Sequence, residues 1–219
     1  MNLLNTLQSF NENLNIVSVL DDKFKCYGSV LDGDDFADLV KFSLENIQTP
    51  SSGNLYTPNF PDLYKFKAIQ DIKSKVYGEL SIQAGYVTGH NHSLTGFEYH
   101  QGSETIVAIT NLVLILGKKQ DLVDDIYLSE KADVFFVNAG QAVELYSTTL
   151  HYTPCKTSQD PFLAIVVLPD GTNSLLNEND KQKTLIKKNK WFIAHASEKD
   201  KIKNGAFPGL LGGVITINI

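Results

Sequence analysis

The stretch GHNHSLTGFEYHQGSETIVAI, residues 89–109, contains three of the five histidines of the chain and only two acidic residues. Its composition predicts two short strands, residues 96–100 and 105–109, separated by a turn at Gly102. Alternate side chains of a strand share a face, so Glu98 and His100 should point the same way. Glu104 follows the glycine turn and begins the next apolar run. The segment therefore predicts two carboxylates and one imidazole near a common point.

The chain from residue 79 onward consists of short β-rich runs bounded by turn residues. A last strand pair is predicted at residues 191–194 and 214–217, and the segment between residues 175 and 190 is predicted to be an exposed helix or loop. Many short strands at close spacing favour a β-barrel or sandwich over βαβ units. The other predicted strands are 80–87, 96–100, 105–109, 112–116, 134–137, 142–145, 150–152 and 162–168.

The first 78 residues have a mixed pattern. Helical spacing of apolar residues predicts helices over residues 2–10, 33–45 and 62–77, the second capped by Asp34 or Asp35. Helix breakers crowd residues 49–61, which are predicted to form a loop. We expect a mixed α/β extension, residues 1–78, packed on a barrel domain, residues 79–219, within one compact unit. The predicted fold class is mainly β with a helical N-terminal extension.

A divalent metal is the simplest reason to bring Glu98, His100 and Glu104 together inside a barrel. Buried carboxylates are costly unless they are paired or bind a cation. A fourth ligand must come from a later strand, and His151 is available. Two carboxylates and two imidazoles would suit one Zn, Mn, Fe or Ni ion with open coordination positions.

Two alternatives remain open for these residues. Glu98 and Glu104 could be solvated charges at strand ends, with His100 a surface or satisfied core histidine. A rival ligand set uses His90 and His92 with Glu98, but the surroundings of the two histidines indicate a mobile loop. A strand is the more rigid platform, so we favour the first set and expect His90 and His92 at the mouth of the pocket.

The charge composition limits the classes of molecule that the protein is suited to bind. The chain has 19 basic and 25 acidic residues, and every basic residue is lysine. An acidic chain without arginine is poorly suited to nucleic acid, which requires clustered cations. Without the bidentate arginine fork, an anion must be held by lysine, a metal, hydroxyls or backbone N–H groups. A neutral small metabolite is the favoured partner.

The sequence predicts a cytoplasmic protein with no membrane partner. No apolar run approaches the ~20 residues that cross a bilayer, and the start MNLLNTLQSFNEN lacks the features of a secretion signal. The two cysteines, Cys26 and Cys155, form no disulfide-scaffold pattern. Because barrels leave sheet edges and apolar faces that pair across a two-fold axis, we expect a homodimer.

The motif Glu98-x-His100-x3-Glu104, followed by His151, resembles the metal-binding pattern of the cupin superfamily, with glutamate in place of the first histidine. A closer likeness, over about residues 94–170, is to ureidoglycolate lyase: FEYHQGSETIVAI and NAGQAVELYSTTLHYTP are similar to its two motifs. The whole chain also resembles an uncharacterised bacterial family of similar length within the cupin clan. These resemblances imply a cupin-type jelly-roll barrel with a divalent ion.

The resemblance implies a metal-dependent lyase, isomerase or epimerase acting on a sugar-like or hydroxy-acid metabolite. Glu104 stands where the lyase has glutamine, which adds negative charge and, with the missing arginines, favours a neutral sugar-like substrate. Acid–base candidates are Lys190 and Tyr152, with Glu98 and His90 as alternatives. A second hypothesis is a non-catalytic metabolite-binding or sensory cupin.

Overall fold

The computed structural model describes residues 2–31, 35–177, 180 and 182–219. In these ranges the chain forms four α-helices: α1 (Leu3–Phe10), α2 (Ala37–Asn46), α3 (Lys67–Lys75) and α4 (Lys199–Lys203). The strands are β1 (Ile16–Ser18), β2 (Gly28–Val30), β3 (Asn54–Thr57), β4 (Ile82–Gly89), β5 (Gly96–Tyr99), β6 (Glu104–Ala108), β7 (Leu112–Lys118), β8 (Tyr127–Leu128), β9 (Asp133–Val137), β10 (Ala142–Leu145), β11 (Thr149–Leu150), β12 (Cys155–Lys156), β13 (Phe162–Pro169), β14 (Leu185–Lys187), β15 (Lys190–His195) and β16 (Phe207–Leu211).

Two sheets face each other and enclose the core of the barrel. One has six strands in the order β2-β10-β6-β13-β4-β3, and the other has the order β1-β9-β7, with β11 and β12 both paired to β7. A third sheet, β14-β15-β16-β8, carries β5 on β15. The predicted fold class, mainly β with a helical N-terminal part, is confirmed.

Period-two alternation along β13 divides its side chains between two cores. Phe162, Ala164, Val166 and Leu168 join the cluster between the two facing sheets. Residues at the odd positions, such as Ile165, lie on the other face among side chains of α2 and α3. Each fully buried side chain of this size contributes roughly 1.5–3 kcal/mol relative to exposure. The strand is therefore buried on both faces, which explains its unbroken apolar sequence.

Both ends of the chain cover the outer face of the second sheet. Leu7 of α1 and Ile217 pack in one cluster with Val113 of β7. The buried side chain of Asn11 donates to Leu7 O at 2.8 Å and to Asn218 O at 2.9 Å, and its Oδ1 accepts from Asn218 N at 2.8 Å. These bonds tie the first helix to the C-terminal segment.

Strands from the first 78 residues are members of the barrel sheets. β1 pairs with β9 in parallel, while β2 and β3 pair antiparallel with β10 and β4. The N-terminal part is thus hydrogen-bonded into the barrel along three edges. The domain boundary after residue 78 stays a prediction.

The helices differ from prediction in their starting points. α1 lies within the predicted range, and Asn2 caps it by accepting from Leu4 N at 3.2 Å. α2 begins at Ala37, whereas the predicted start at residue 33 lies outside the described residues. Asp35 Oδ1 accepts from Ala37 N at 2.9 Å. The other predicted cap, Asp34, lies outside the described residues.

No helix in the described part of the chain is long and apolar enough to cross a membrane.

The third predicted helix is interrupted. A 3-10 turn covers Pro61–Lys65, and α3 follows it, because Phe66 between them has extended backbone angles (φ −82°, ψ 131°). The Phe66 ring packs on Phe42 of α2, with centroids 5.0 Å apart. Aromatic packing at this junction accompanies the break in the helix that the spacing of apolar residues predicted.

The predictions for three segments were wrong. The segment predicted as a loop contains β3, whose exposed side chains are tolerated because the strand forms a sheet edge. The segment between residues 175 and 190 contains β14. Residues 214–217 form no strand; β15 pairs instead with β16, where a Cβ on Gly209 would lie 2.3 Å from Asp125 O. Glycine at this position lets the backbone at Asp125 approach β16 closely.

The two cysteines should differ sharply in reactivity. Cys26 is exposed and Cys155 is buried, and burial raises the pKa of the Cys155 thiol. We expect one thiol per chain to react with Ellman's reagent in the folded protein and two in denaturant. Two rapidly reacting thiols without denaturant would contradict the packing of β12 on β7.

Candidate metal centre

Four polar side chains meet where three strand systems join. Glu98 lies on β5, His100 follows that strand, and Glu104 is the first residue of β6. His151 follows β11 and pairs with Glu98 through two backbone hydrogen bonds, at 2.7 and 3.0 Å. Gly102 adopts φ 105° in the turn between His100 and Glu104, a conformation that favours glycine. The predicted turn thus brings Glu104 back towards β5.

The four residues are buried and their ligand atoms are close together. One nitrogen or oxygen from each lies within 4.8 Å of the others. His151 Nε2 is 3.2 Å from Glu104 Oε2, and His100 Nε2 is 3.5 Å from the same oxygen and 3.7 Å from Glu98 Oε1. The structure therefore brings together Glu98, His100, Glu104 and His151, the set favoured from the sequence.

Backbone carbonyls orient both imidazoles. His100 Nδ1 donates to Asn189 O at 2.6 Å, and His151 Nδ1 donates to Thr149 O at 3.0 Å. With Nδ1 carrying the proton, Nε2 of each ring faces the carboxylates. A carbonyl acceptor on the remote nitrogen is the arrangement that fixes metal-binding histidines.

Asn189 supports this orientation from the turn before β15. It has φ 57°, its Oδ1 accepts from Gln101 N at 2.8 Å, and its Nδ2 donates to Thr172 Oγ1 at 2.9 Å. Asparagine is among the few residues that tolerate this backbone conformation. Sequence reasoning missed Asn189, because its contact with His100 joins segments 89 residues apart.

The charges in the cluster are mutually stabilising. Burial opposes ionisation of Glu98, but Lys190 and His100 hold its pKa below the usual range. Burial likewise opposes ionisation of Glu104, yet the two histidines lower its pKa to about 2. Burial would lower the pKa of His100, whereas the two carboxylates raise it to about 10. A cation entering this group would have to replace a proton held at His100.

Lys190 provides a second cation. Its Nζ forms an ion pair with Glu98 Oε2, and both side chains are largely buried. Lys190 is the first residue of β15, whose antiparallel pairing with β5 sets Trp191 opposite Tyr99. The register of β15 on β5 therefore places the ammonium group of Lys190 beside the cluster.

A cavity of about 120 Å³ opens beside the carboxylates. Its lining divides into a charged part, an apolar part and a polar part. The charged residues are Glu98, Glu104 and Lys190; the apolar residues are Val87, Pro154, Val166 and Leu168; the polar residues are Tyr56, Tyr152, Thr153 and Asn173.

The remaining sequence candidates are distributed around this cavity. Both Lys190 and Tyr152 line it, and burial raises the pKa of the Tyr152 hydroxyl above its usual range. His90 Nε2 lies 3.0 Å from Pro50 O, and the backbone of His92 accepts from Ile217 N. Neither histidine is among the lining residues, and their position at the pocket mouth stays a prediction.

The donor set fits a divalent ion. His100 Nε2 makes no hydrogen bond in the described part of the chain, although it is buried. Ligand atoms that share one ion at about 2.0–2.2 Å lie within about 4.4 Å of one another, so the observed separations are close to those required. Glu98, His100, Glu104 and His151 are the residues that could hold such an ion.

The fold and the site together define a β-barrel protein with a buried Glu-His-Glu-His group that could hold a metal ion. The family model described as "Domain of unknown function (DUF4867)" matches residues 16–215. The chain belongs to this family. The sequence matches no curated protein.

Solved structures give only remote likenesses. A variant of Bacillus subtilis oxalate decarboxylase is 15% identical with a TM-score of 0.32, and the alignment covers 45% of this chain and 24% of the decarboxylase. EvdO2 from Micromonospora carbonacea var. aurantiaca is 13% identical with a TM-score of 0.39, covering 54% of this chain and 66% of EvdO2. The chain thus spans about a quarter of the decarboxylase, and neither activity is transferred.

Replacing Lys190 with methionine should destabilise the protein. With chelator present, Lys190→Met leaves the buried Glu98 carboxylate without its ammonium partner, and we expect the free energy of unfolding to fall by about 3–5 kcal/mol. Urea denaturation measures the change, and the neighbouring exposed Lys187→Met is the matched control. Adding Glu98→Gln to Lys190→Met should recover most of the loss. Equal effects of the two lysine variants would contradict the ion pair.

Proposed function

We propose that this protein is a divalent-metal-dependent isomerase, epimerase or lyase for a small sugar-like or hydroxy-acid metabolite. The observation that supports it best is the buried Glu98-His100-Glu104-His151 group beside a cavity that also contains Lys190 and Tyr152. Buried polar groups without full pairing are costly, so a cluster of this kind suits a ligand. The closer sequence likeness to ureidoglycolate lyase stays a prediction.

A bound ion would supply Lewis-acid chemistry, which polarises a carbonyl or holds the hydroxyl beside it. Glu98, Glu104 and the two imidazoles would hold it, with the remote ring nitrogens fixed by Asn189 O and Thr149 O. Because these carbonyls are part of the strand and turn framework, the side chains are oriented before any ligand enters.

The cavity residues would perform the proton transfers. Lys190 Nζ, beside Glu98, can donate a proton to a substrate oxygen or stabilise negative charge that develops there. The Tyr152 hydroxyl keeps its proton because burial raises its pKa, which makes it a hydrogen-bond donor. Val87, Val166 and Leu168 give the cavity an apolar part.

The size and charge of the cavity limit the substrate. About 120 Å³ suits a fragment of a few carbon and oxygen atoms, smaller than the pockets of drug-sized ligands. Two carboxylates line it beside one lysine, so an unassisted dianion would be repelled. A compact molecule with a carbonyl and a hydroxyl group fits both limits.

Metal content tests the first half of the proposal. We expect one divalent ion per chain by elemental analysis, and calorimetric affinity for Zn²⁺ or Mn²⁺ reduced at least about 100-fold in Glu104→Gln and in His151→Ala, because each removes one of four ligands. The exposed Glu130→Gln is the matched control. Loss of metal in His92→Ala would favour the rival ligand set, and absence of metal from the native protein at neutral pH would refute the proposal.

Turnover tests the second half. Aldoses, ketoses and hydroxy acids, incubated with the metal-loaded protein, should include one that is isomerised, epimerised or cleaved. Lys190→Met should lower kcat by about 10²–10⁴-fold, the usual contribution of a general acid–base group. Metal and ligand binding without any turnover would instead favour a metabolite-binding or sensory protein.

We also propose that the protein is a cytoplasmic homodimer, an expectation that comes from the sequence. β2 and β3 are the outer strands of the six-stranded sheet in the described chain, and strand edges are common sites of pairing. Sedimentation at micromolar concentration should give twice the monomer mass of 24.3 kDa; a monomer would overturn this expectation.

A further inference from the structure

We propose that Tyr56 and Asn173 form a hydroxyl-recognition subsite in the cavity beside the candidate metal centre. Both residues line the cavity that contains Glu98 and Lys190. The inference rests on the proposed function, because it specifies which group of the small substrate this part of the cavity binds.

Asn173 carries a buried polar atom without a partner. Its Oδ1 makes no hydrogen bond within the described residues, while its Nδ2 donates to the Tyr56 hydroxyl at 3.2 Å. An unsatisfied buried acceptor costs free energy comparable to a lost hydrogen bond. A ligand group that donates to this oxygen would remove that cost.

Tyr56 complements the amide with a donor. Its hydroxyl oxygen accepts from Asn173 Nδ2 at 3.2 Å. Burial raises the pKa of Tyr56 above its usual range, and the charges of Glu104 and Glu98 add to the shift. The hydroxyl therefore keeps its proton and can donate to a ligand.

A hydroxyl group is the ligand chemistry that satisfies both residues, since it accepts from Tyr56 and donates to Asn173. A carboxylate or ketone oxygen only accepts and would leave Asn173 Oδ1 unpaired. The subsite thus discriminates a hydroxyl from a group without a donor.

The backbone holds this pair in place. Asn173 adopts φ 68°, and its N–H donates to Lys188 O at 2.9 Å. The preceding Thr172 accepts from Asn189, the residue that also orients His100. Tyr56 is fixed by the pairing of β3 with β4, directly opposite Val87. The subsite and the candidate metal centre therefore share one supporting turn.

Hydroxyacetone and acetone test the subsite, because they differ by one hydroxyl and are small enough for the cavity. Titrations followed by nuclear magnetic resonance should give a dissociation constant about tenfold lower for hydroxyacetone. Asn173→Gly, which removes the amide at a position where glycine tolerates positive φ, should reduce the preference below about threefold. Tyr56→Phe should reduce it partly.

Two variants serve as matched controls and should keep the tenfold preference. Asp124→Gly changes another left-handed position, at φ 52°, in an exposed loop. Tyr146→Phe removes a hydroxyl from a residue with the same exposure as Tyr56, 37%. Urea denaturation of every variant verifies folding.

Equal binding of the two probes, no binding of hydroxyacetone, or an unchanged preference in Asn173→Gly would overturn the subsite. These results are separable from the failure of the proposed function. A hydroxyl preference in a protein that holds no metal or turns over no substrate would keep the subsite and refute the enzyme. Metal-dependent turnover without the hydroxyl preference would keep the proposed enzyme activity and refute the subsite.

Discussion

The pairing of two buried carboxylates with Lys190 and two imidazoles is the constraint on which the rest of the structure depends. Removing a carboxylate from water costs several kcal/mol unless opposite charge replaces the lost hydration. Here Lys190 contacts Glu98, while His151 and His100 lie near Glu104. Each partner comes from a different stretch of chain, so the barrel must close with the correct strand register to satisfy these charges.

That register also explains which parts of the site the sequence could reveal. Glu98 and His100 follow from strand alternation, and Gly102 indicates the return towards Glu104; both rules act over a few residues. His151 was found because a fourth ligand was needed and few histidines remain. The local sequence pattern and the need for a fourth ligand were together sufficient to predict this cluster.

Other parts depend on contacts between distant segments. Tyr56 lies in β3, an edge strand whose exposed sequence is typical of a loop, and Asn173 lies in a turn whose sequence predicts the turn but not its partners. Their meeting is set by the pairing of β3 with β4 and by the bond from Asn173 to Lys188. The last sheet was also mispredicted, because β15 pairs with β5 and β16 rather than with residues 214–217.

Glu98, Glu104 and His151 belong to strand systems that join only in the finished barrel: β5 pairs with β15, β6 lies in the six-stranded sheet, and β11 pairs with β7. Since His151 is brought to Glu98 by a long-range pairing, a partly folded chain would lack the fourth member of the group. Contacts of large sequence separation also form late and slowly during folding. The complete group of four side chains therefore exists only in the folded barrel.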